Sequence, residues 1–133
     1  EQEEIIKKQI DKWLKYDIIE PAESNWRHSL VLVRKPHTAN QFRVCSDVRY
    51  INSNTVSFHY PMPDLNKILA QIGGQRIKYY TKLDLGSAYH QLDMHPNARH
   101  VTGFSCSAGA FRYKRACFGL KNLPAIFTKL MDT

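Results

Sequence analysis

The apolar positions of the chain predict three amphipathic helices. In residues 1–16 they recur every three or four positions, with glutamates early and lysines late, as in a helix whose charges complement its dipole. A second helix is predicted to begin after Asp64, a good N-cap residue, and to end at Gly73 and Gly74. A third is predicted to begin near Pro124, a favoured first helical residue, and to run to the end of the chain.

Other segments have the composition or the alternation of strands. Residues 29–35 and 41–48 flank a turn-rich connection at 36–40, which predicts a β-hairpin. Further strands are predicted at residues 77–85, 91–94, 101–106 and 110–115. Gly86 and Ser87 are predicted to open a short turn or helix between the first two of these. The mixture predicts one α+β domain with a mainly antiparallel sheet.

Length and composition fit a single globular domain. The chain has 133 residues, of which 43% are hydrophobic and 23% charged, and these values are ordinary for a folded domain. Its longest apolar run, Leu30 to Val33, is too short to cross a bilayer, and no secretory signal is visible. The three cysteines match no zinc or disulfide framework, so we expect an intracellular protein with reduced thiols that is neither secreted nor membrane-bound.

The charge balance favours a polyanionic partner. Nineteen lysines and arginines against 12 aspartates and glutamates give a net charge of +7. Nucleic acid is the commonest partner of such a surface, although a basic surface can also serve solubility alone. Arg34, Lys35 and Arg43 are predicted to crowd the hairpin tip, where they suit a triphosphate or a nucleic-acid backbone; a solvated charged turn is the alternative.

Two glycine-containing segments are candidates for a catalytic or binding site. Asp84 lies near the end of a predicted strand, before a glycine turn, where a carboxylate could hold Mg²⁺ against a phosphate or simply cap the turn. Residues 118–127 form a glycine-containing loop that either lets a ligand approach the backbone or is an ordinary strand-to-helix connection. His90, His95 and His100 recur every five residues, which fits neither a helix face nor a strand face, so no metal site is predicted there.

Six segments resemble, in the same order, motifs of the reverse transcriptases of gypsy-type LTR retrotransposons. They are DIIEPAES from residue 17, VLVRK from 31, FRVCSDVRYIN from 42, YPMP from 60, KLDL with YHQ from 82, and FGL with PA and F from 118. Each motif is weak alone, but the ordered set is specific and covers nearly the whole chain. The resemblance implies an incomplete right-hand polymerase fold, in which residues 1–133 form the fingers and the first part of the palm.

The resemblance also implies a function, RNA-directed DNA polymerisation by two-metal nucleotidyl transfer. Asp84 would be the first catalytic carboxylate and a ligand of Mg²⁺, or of Mn²⁺ in its place, and Leu85 would offer its backbone carbonyl to one ion. Tyr89 would be the steric gate that excludes a 2′-hydroxyl and so selects deoxynucleotides. The residues implied to contact the nucleotide are Lys35, Arg43, Gly86, Ser87, Ala88, Tyr89, Phe118 and Gly119. Those implied to contact nucleic acid are Arg34, Lys35 and Arg43.

The implied partners and location follow from the same family. The partners would be an RNA or DNA template-primer, deoxynucleoside triphosphates, and the remaining polymerase, RNase H and integrase parts of a Pol polyprotein. The location would be a cytoplasmic particle or the nucleus. Because the chain begins with glutamate and stops inside a predicted helix, we expect it to be a fragment of such a protein.

Some features of the sequence depart from the family pattern. The second metal-binding motif, an aromatic residue, any residue and two aspartates, does not occur within residues 1–133, so this chain alone is expected to be inactive. Gly103 stands where alanine is usual. The alternative interpretation is a truncated or domesticated remnant that binds nucleic acid or a partner protein without catalysis.

Overall fold

The structure is a computed structural model that describes residues 2–36, 38 and 41–133. Its α-helices are α1 (Gln2–Lys15), α2 (Arg49–Ser53), α3 (Leu65–Gly73) and α4 (Leu123–Met131). Its strands are β1 (Ile19–Pro21), β2 (Leu30–Arg34), β3 (Phe42–Ser46), β4 (Phe104–Cys106) and β5 (Gly109–Tyr113). Two 3₁₀ helices, Ala88–Gln91 and Pro96–Thr102, precede β4. None of the helices within these residues is long and apolar enough to cross a membrane.

The strands pair antiparallel, as the sequence predicts, but they form two sheets and not one. The first has the order β1-β5-β4 and pairs Ile19 with Tyr113. The second is the hairpin β2-β3, in which Leu30 pairs with Ser46. The hydroxyls of Ser46 and Tyr113 lie 3.0 Å apart in a hydrogen bond that joins the two sheets.

The core lies where α1 covers the three-stranded sheet. Ile10 and Trp13 are the buried residues of this helix, which confirms the predicted amphipathic face. The Trp13 ring packs edge-on against Tyr113 and Phe104, with centroids 5.5 and 6.3 Å apart. Full burial of such side chains contributes roughly 1.5–3 kcal/mol each, so this aromatic cluster is a main source of stability.

The hairpin follows the predicted pattern of faces. Val44 and Ser46 are buried on one face of β3. Arg43, next to Val44 on the opposite face, is exposed. The register brings Arg34 opposite Phe42 and Val33 opposite Arg43. Of the predicted connection at 36–40, residues 37, 39 and 40 lie outside the described part of the chain.

The helix after Asp64 is confirmed, but the strand predicted after it is wrong. The Asp64 side chain caps α3 by accepting a hydrogen bond from the Asn66 N–H at 2.9 Å, and α3 ends at Gly73. Residues 77–85 contain no strand and are exposed throughout. A strand needs a neighbour for its backbone hydrogen bonds, and none of the described residues forms a ladder with this segment.

Two other predicted strands differ from the structure. Residues 91–94 form only an isolated bridge, between Asp93 and Arg115, after the 3₁₀ helix Ala88–Gln91. The strand predicted at 101–106 begins only at Phe104, because the 3₁₀ helix that starts at Pro96 continues to Thr102. The proline fixes the backbone of the first helical position, which favours the helical turn over a strand.

Gly103 fills a position where the chain has no room for a side chain. A Cβ atom there would lie 2.4 Å from the Trp26 carbonyl oxygen and 2.7 Å from the Ser24 Cβ. The His28 N–H also donates to the Gly103 carbonyl at 2.9 Å, which holds the two segments together. Glycine stands here in place of the family's usual alanine, and in this structure the close approach of the Trp26 backbone leaves no space for an alanine methyl group.

Candidate functional site

A cleft of about 1070 Å³ lies between α1, the β2–β3 hairpin and the turn that follows residue 84. It brings together predicted site residues from three distant segments, namely Lys35, Arg43, Leu85, Gly86, Ser87, Ala88 and Phe118. The other predicted residues, Arg34, Asp84, Tyr89 and Gly119, are outside its lining. The cleft is therefore the candidate site.

The cleft is strongly positive. Lys12, Lys35, Arg43 and Arg115 line it, and its described lining includes no aspartate or glutamate. Arg115 is partly compensated by Asp93, whose carboxylate lies 3.0 Å from the guanidinium. Like-signed charges in a concave surface raise the local concentration of an oppositely charged ligand, so the cleft favours an anion.

The hairpin positions two of the four cations. Lys35 follows β2, and its backbone N–H donates to the Gln41 carbonyl at 2.9 Å, which extends the ladder to the tip. Arg43 is exposed on the face of β3 opposite the buried Val44. The Arg34 guanidinium is outside the lining, and it lies 6.0 Å from the centre of the Phe42 ring.

A tight turn forms the opposite wall. Ser87 has a left-handed backbone with φ of 50°, which costs a residue other than glycine about 1–3 kcal/mol. The His90 N–H donates to the Ser87 carbonyl at 2.9 Å, and the Gln91 side-chain amide donates to the Gly86 carbonyl at 3.0 Å. The predicted short helix is confirmed, and these bonds hold its start against the strain.

His90 is a half-buried residue of the cleft lining. Its Nδ1 lies 3.0 Å from the Ala116 carbonyl oxygen and donates to it, and its ring meets the Phe118 ring edge-on at 5.0 Å. Burial lowers the pKa of this imidazole, because the charged form loses hydration, although the hydrogen bond to Ala116 opposes the shift. The side chain is therefore neutral near physiological pH.

Tyr89 is outside the cleft lining and packs between two other aromatic rings. Its centroid is 5.3 Å from that of Phe118 and 5.8 Å from that of Phe127, both in edge contact. The ring is half-buried, so its orientation is set by the Phe118 loop and by α4. Packing on both sides gives the side chain the rigidity that a selective contact requires.

Asp84 is exposed and lies outside regular structure, one residue before the cleft wall begins at Leu85. Within the described residues, no three histidine, cysteine, aspartate or glutamate side chains are grouped to hold a metal ion. A Mg²⁺ ion takes about six oxygen ligands, several of which can be water. Asp84 and the Leu85 carbonyl therefore do not by themselves fit a pair of such ions.

The loop that carries Phe118 is fixed by hydrogen bonds from α2. Gly119 has φ of 98°, and a Cβ there would lie 3.1 Å from a Val48 methyl. The Asn52 side chain donates to the Gly119 carbonyl and accepts from the Lys121 N–H, both at 2.8 Å. The predicted glycine loop thus has a defined shape that glycine makes accessible.

Sequence reasoning missed several residues of this site. Lys12 and Arg115 line the cleft but lie outside the motifs, in a helix face and after a strand. Asn52 belongs to a quoted motif, yet its contact with Gly119 spans 67 residues and leaves no local signal. The net charge of +7 indicated that further basic residues could bind an anion, but it did not identify Lys12 or Arg115.

Comparison with known families agrees with this geometry. The sequence profile described as "Reverse transcriptase (RNA-dependent DNA polymerase)" matches residues 33–133. The chain belongs to the reverse transcriptase family. The match covers the end of β2 with all of β3, the turn and the Phe118 loop, which are the three parts of the cleft that carry the predicted nucleotide contacts.

Individual reverse transcriptase relatives come from retrotransposons. The Pol polyprotein of the transposon opus from Drosophila melanogaster is 38% identical over 96% of this chain. That of the transposon gypsy, from the same organism, is 34% identical over 97% of the chain. The resemblance to gypsy-type elements is therefore confirmed. The chain spans 13% of the length of each of these two relatives.

Solved reverse transcriptase structures share the fold. A foamy viral protease-reverse transcriptase in complex with an RNA/DNA hybrid superposes with a TM-score of 0.76 at 19% identity, over 98% of this chain and 17% of that one. The native prototype foamy virus protease-reverse transcriptase has a TM-score of 0.71 at 28% identity, over 92% of this chain and 16% of that one. The chain therefore has a partial reverse transcriptase fold, as the motifs predict.

Proposed function

We propose that this chain is the nucleotide-binding part, the fingers and first part of the palm, of a retrotransposon RNA-directed DNA polymerase. One observation carries the proposal. Seven residues implied by the family motifs line one positive cleft, which has the sign of charge that a triphosphate requires.

The chain's residues would divide the work of binding between two walls. Lys35 and Arg43 neutralise the triphosphate from the hairpin side, and Arg43 also stacks on the incoming base. The backbone N–H groups of residues 86–88 contact the phosphates from the turn. Tyr89 lies under the sugar and leaves no space for a 2′-hydroxyl. Phe118 and Gly119 border the nucleotide and the template.

The divalent metal of the family would bind at the margin of this cleft. Asp84 is proposed as one carboxylate ligand and Leu85 as a carbonyl ligand. When bound, Mg²⁺ or Mn²⁺ supplies a lower pKa for the primer 3′-hydroxyl and charge stabilisation for the pyrophosphate. Because Asp84 is a single carboxylate, a pair of ions would need further carboxylate ligands besides water, and the isolated chain is expected to be inactive.

The proposed macromolecular partner is a template-primer duplex. The net charge of +7 suits a nucleic-acid backbone. The related foamy viral enzyme forms complexes with an RNA/DNA hybrid and with double-stranded DNA. Sequence would be read by base pairing, so the protein needs only backbone and shape contacts.

Primer extension by the full-length protein tests this proposal. Asp84→Asn should abolish deoxynucleotide incorporation and leave template-primer affinity largely intact. Asp64→Asn makes the same chemical change at a helix cap, where asparagine serves equally well, and should retain activity. Wild-type protein that binds template-primer without extending it would favour the non-catalytic remnant instead.

A further inference from the structure

Two asparagine side chains join α2 and the residues that follow it to the Phe118 loop. Asn52 binds the backbone of Gly119 and Lys121 through both atoms of its amide, each at 2.8 Å. Asn122 reaches back in the opposite direction, accepting from the Phe58 N–H at 2.9 Å and donating to the Val56 carbonyl at 2.7 Å. The two segments are thus held by reciprocal amide contacts.

The Asn122 side chain makes these contacts and does not cap its own helix. It occupies the N-cap position of α4, where asparagine is strongly preferred because its side chain satisfies a free helical N–H. Here it makes no capping hydrogen bond. A good cap residue that instead binds Val56 and Phe58 indicates that the connection between the segments matters more than the end of the helix.

The Asn52 contact bears directly on the cleft. Gly119 has a left-handed backbone, and Phe118, the residue before it, both lines the cleft and packs against Tyr89. The backbone groups that Asn52 binds lie on either side of Leu120, so they fix the direction in which the chain leaves Phe118. Asn52 of α2 therefore helps to set the orientation of the Phe118 ring, which is proposed to border the nucleotide.

We propose that Asn52 is a positioning residue for nucleotide binding, acting through the backbone of the Phe118 loop rather than by touching the substrate. This inference rests on the proposed function of the cleft. It assigns to α2, which contributes nothing to the cleft lining, the task of holding the loop in its binding shape before a nucleotide arrives.

The test compares variants of the full-length polymerase by nucleotide kinetics and by amide exchange. Asn52→Ala removes both hydrogen bonds, and it should raise the KM for deoxynucleotide about tenfold while kcat and template-primer affinity stay within about twofold. Asn52→Asp keeps the acceptor for Lys121 but loses the donor to Gly119 and places a carboxylate oxygen against that carbonyl, so its KM should also rise. Asn54→Ala is the matched control, since among the described residues this amide bonds to Tyr50 and Ser53 of its own segment and not to the Phe118 loop.

Hydrogen exchange gives a readout that is independent of activity. The Lys121 amide should exchange faster in Asn52→Ala and remain protected in Asn52→Asp. Unchanged exchange, or faster exchange with an unchanged KM in an active enzyme, overturns the inference. If the wild-type protein incorporates no nucleotide, the proposed function of the cleft fails, whereas the exchange rates still decide whether Asn52 holds the loop.

Discussion

The ring of Tyr89 meets the ring of Phe127 edge-on, with centroids 5.8 Å apart and planes inclined by 84°. Tyr89 belongs to the 3₁₀ helix beside the cleft, and Phe127 belongs to α4. Because the Phe118 ring also packs against Tyr89, with centroids 5.3 Å apart, the proposed steric gate is supported by two separate elements.

Shortening Tyr89 should relax the choice of sugar. Tyr89→Val leaves space under the ribose, so we expect the preference for deoxynucleotides over ribonucleotides, as the ratio of kcat/KM values, to fall at least about tenfold. Phe127→Ala should give a smaller fall, because it removes only the support. Tyr79→Val, at a side chain 89% exposed, is the control. Unchanged discrimination in Tyr89→Val would refute the gate.

Removing Arg43 should weaken nucleic-acid binding in a salt-dependent way. If this guanidinium contacts one phosphate, Arg43→Ala lowers the slope of log affinity against log salt by about one. Binding titrations with a fluorescent RNA–DNA hybrid measure the slope. Lys8→Ala removes the same charge from an exposed position of α1 and should leave the slope unchanged. Equal slopes for wild type and Arg43→Ala would show that Arg43 does not contact a phosphate.

Two glycine-to-alanine substitutions should have opposite effects on stability. Gly103→Ala places a methyl group 2.4 Å from the Trp26 carbonyl oxygen, so the free energy of unfolding should fall by about 1–3 kcal/mol or more. Gly73→Ala meets nothing within 4 Å at the end of α3, and it should raise that free energy by about 0.5–1 kcal/mol. Urea unfolding measures both, and a tolerated alanine at 103 contradicts the close approach.

Acid should destabilise the fold through His90. Burial lowers the pKa of this imidazole in the folded state from 6.5. Below that value the unfolded chain takes up a proton that the folded chain does not, so the free energy of unfolding falls as pH drops from 6.5 to the folded-state pKa. His90→Asn, which can still donate to the Ala116 carbonyl, should flatten this dependence. His59→Asn, at an exposed position, should not.

Local patterns were sufficient to predict much of this fold. The spacing in α1, the cap at Asp64 and the alternation in β3 each depend on neighbours within a few residues, and all three are confirmed. The strand predicted at 77–85 failed although its pattern is good, because a strand forms only with a partner. Its apolar side chains, such as Leu83 at 86% exposure, point to the same cause.

The site was predictable only in part for a similar reason. Ordered motifs named seven residues that line the cleft, since the family likeness carries three-dimensional information that no single segment contains. The sequence did not predict the roles of Lys12 and Asn52, because these roles arise from contacts with distant segments. A lysine on an exposed helix face looks the same in sequence whether it meets a cleft or water.

The pairing of Ile19 with Tyr113 has a consequence for biosynthesis. Translation at about 5–20 residues per second leaves roughly 5 to 20 s between the emergence of these two partners from the ribosome. During that interval the apolar side of α1 lacks the three-stranded sheet that buries Ile10 and Trp13, and it is more accessible to chaperones. The pairing of β1 with β5, and the burial of α1 against the sheet that they form, therefore become possible only after β5 has been made.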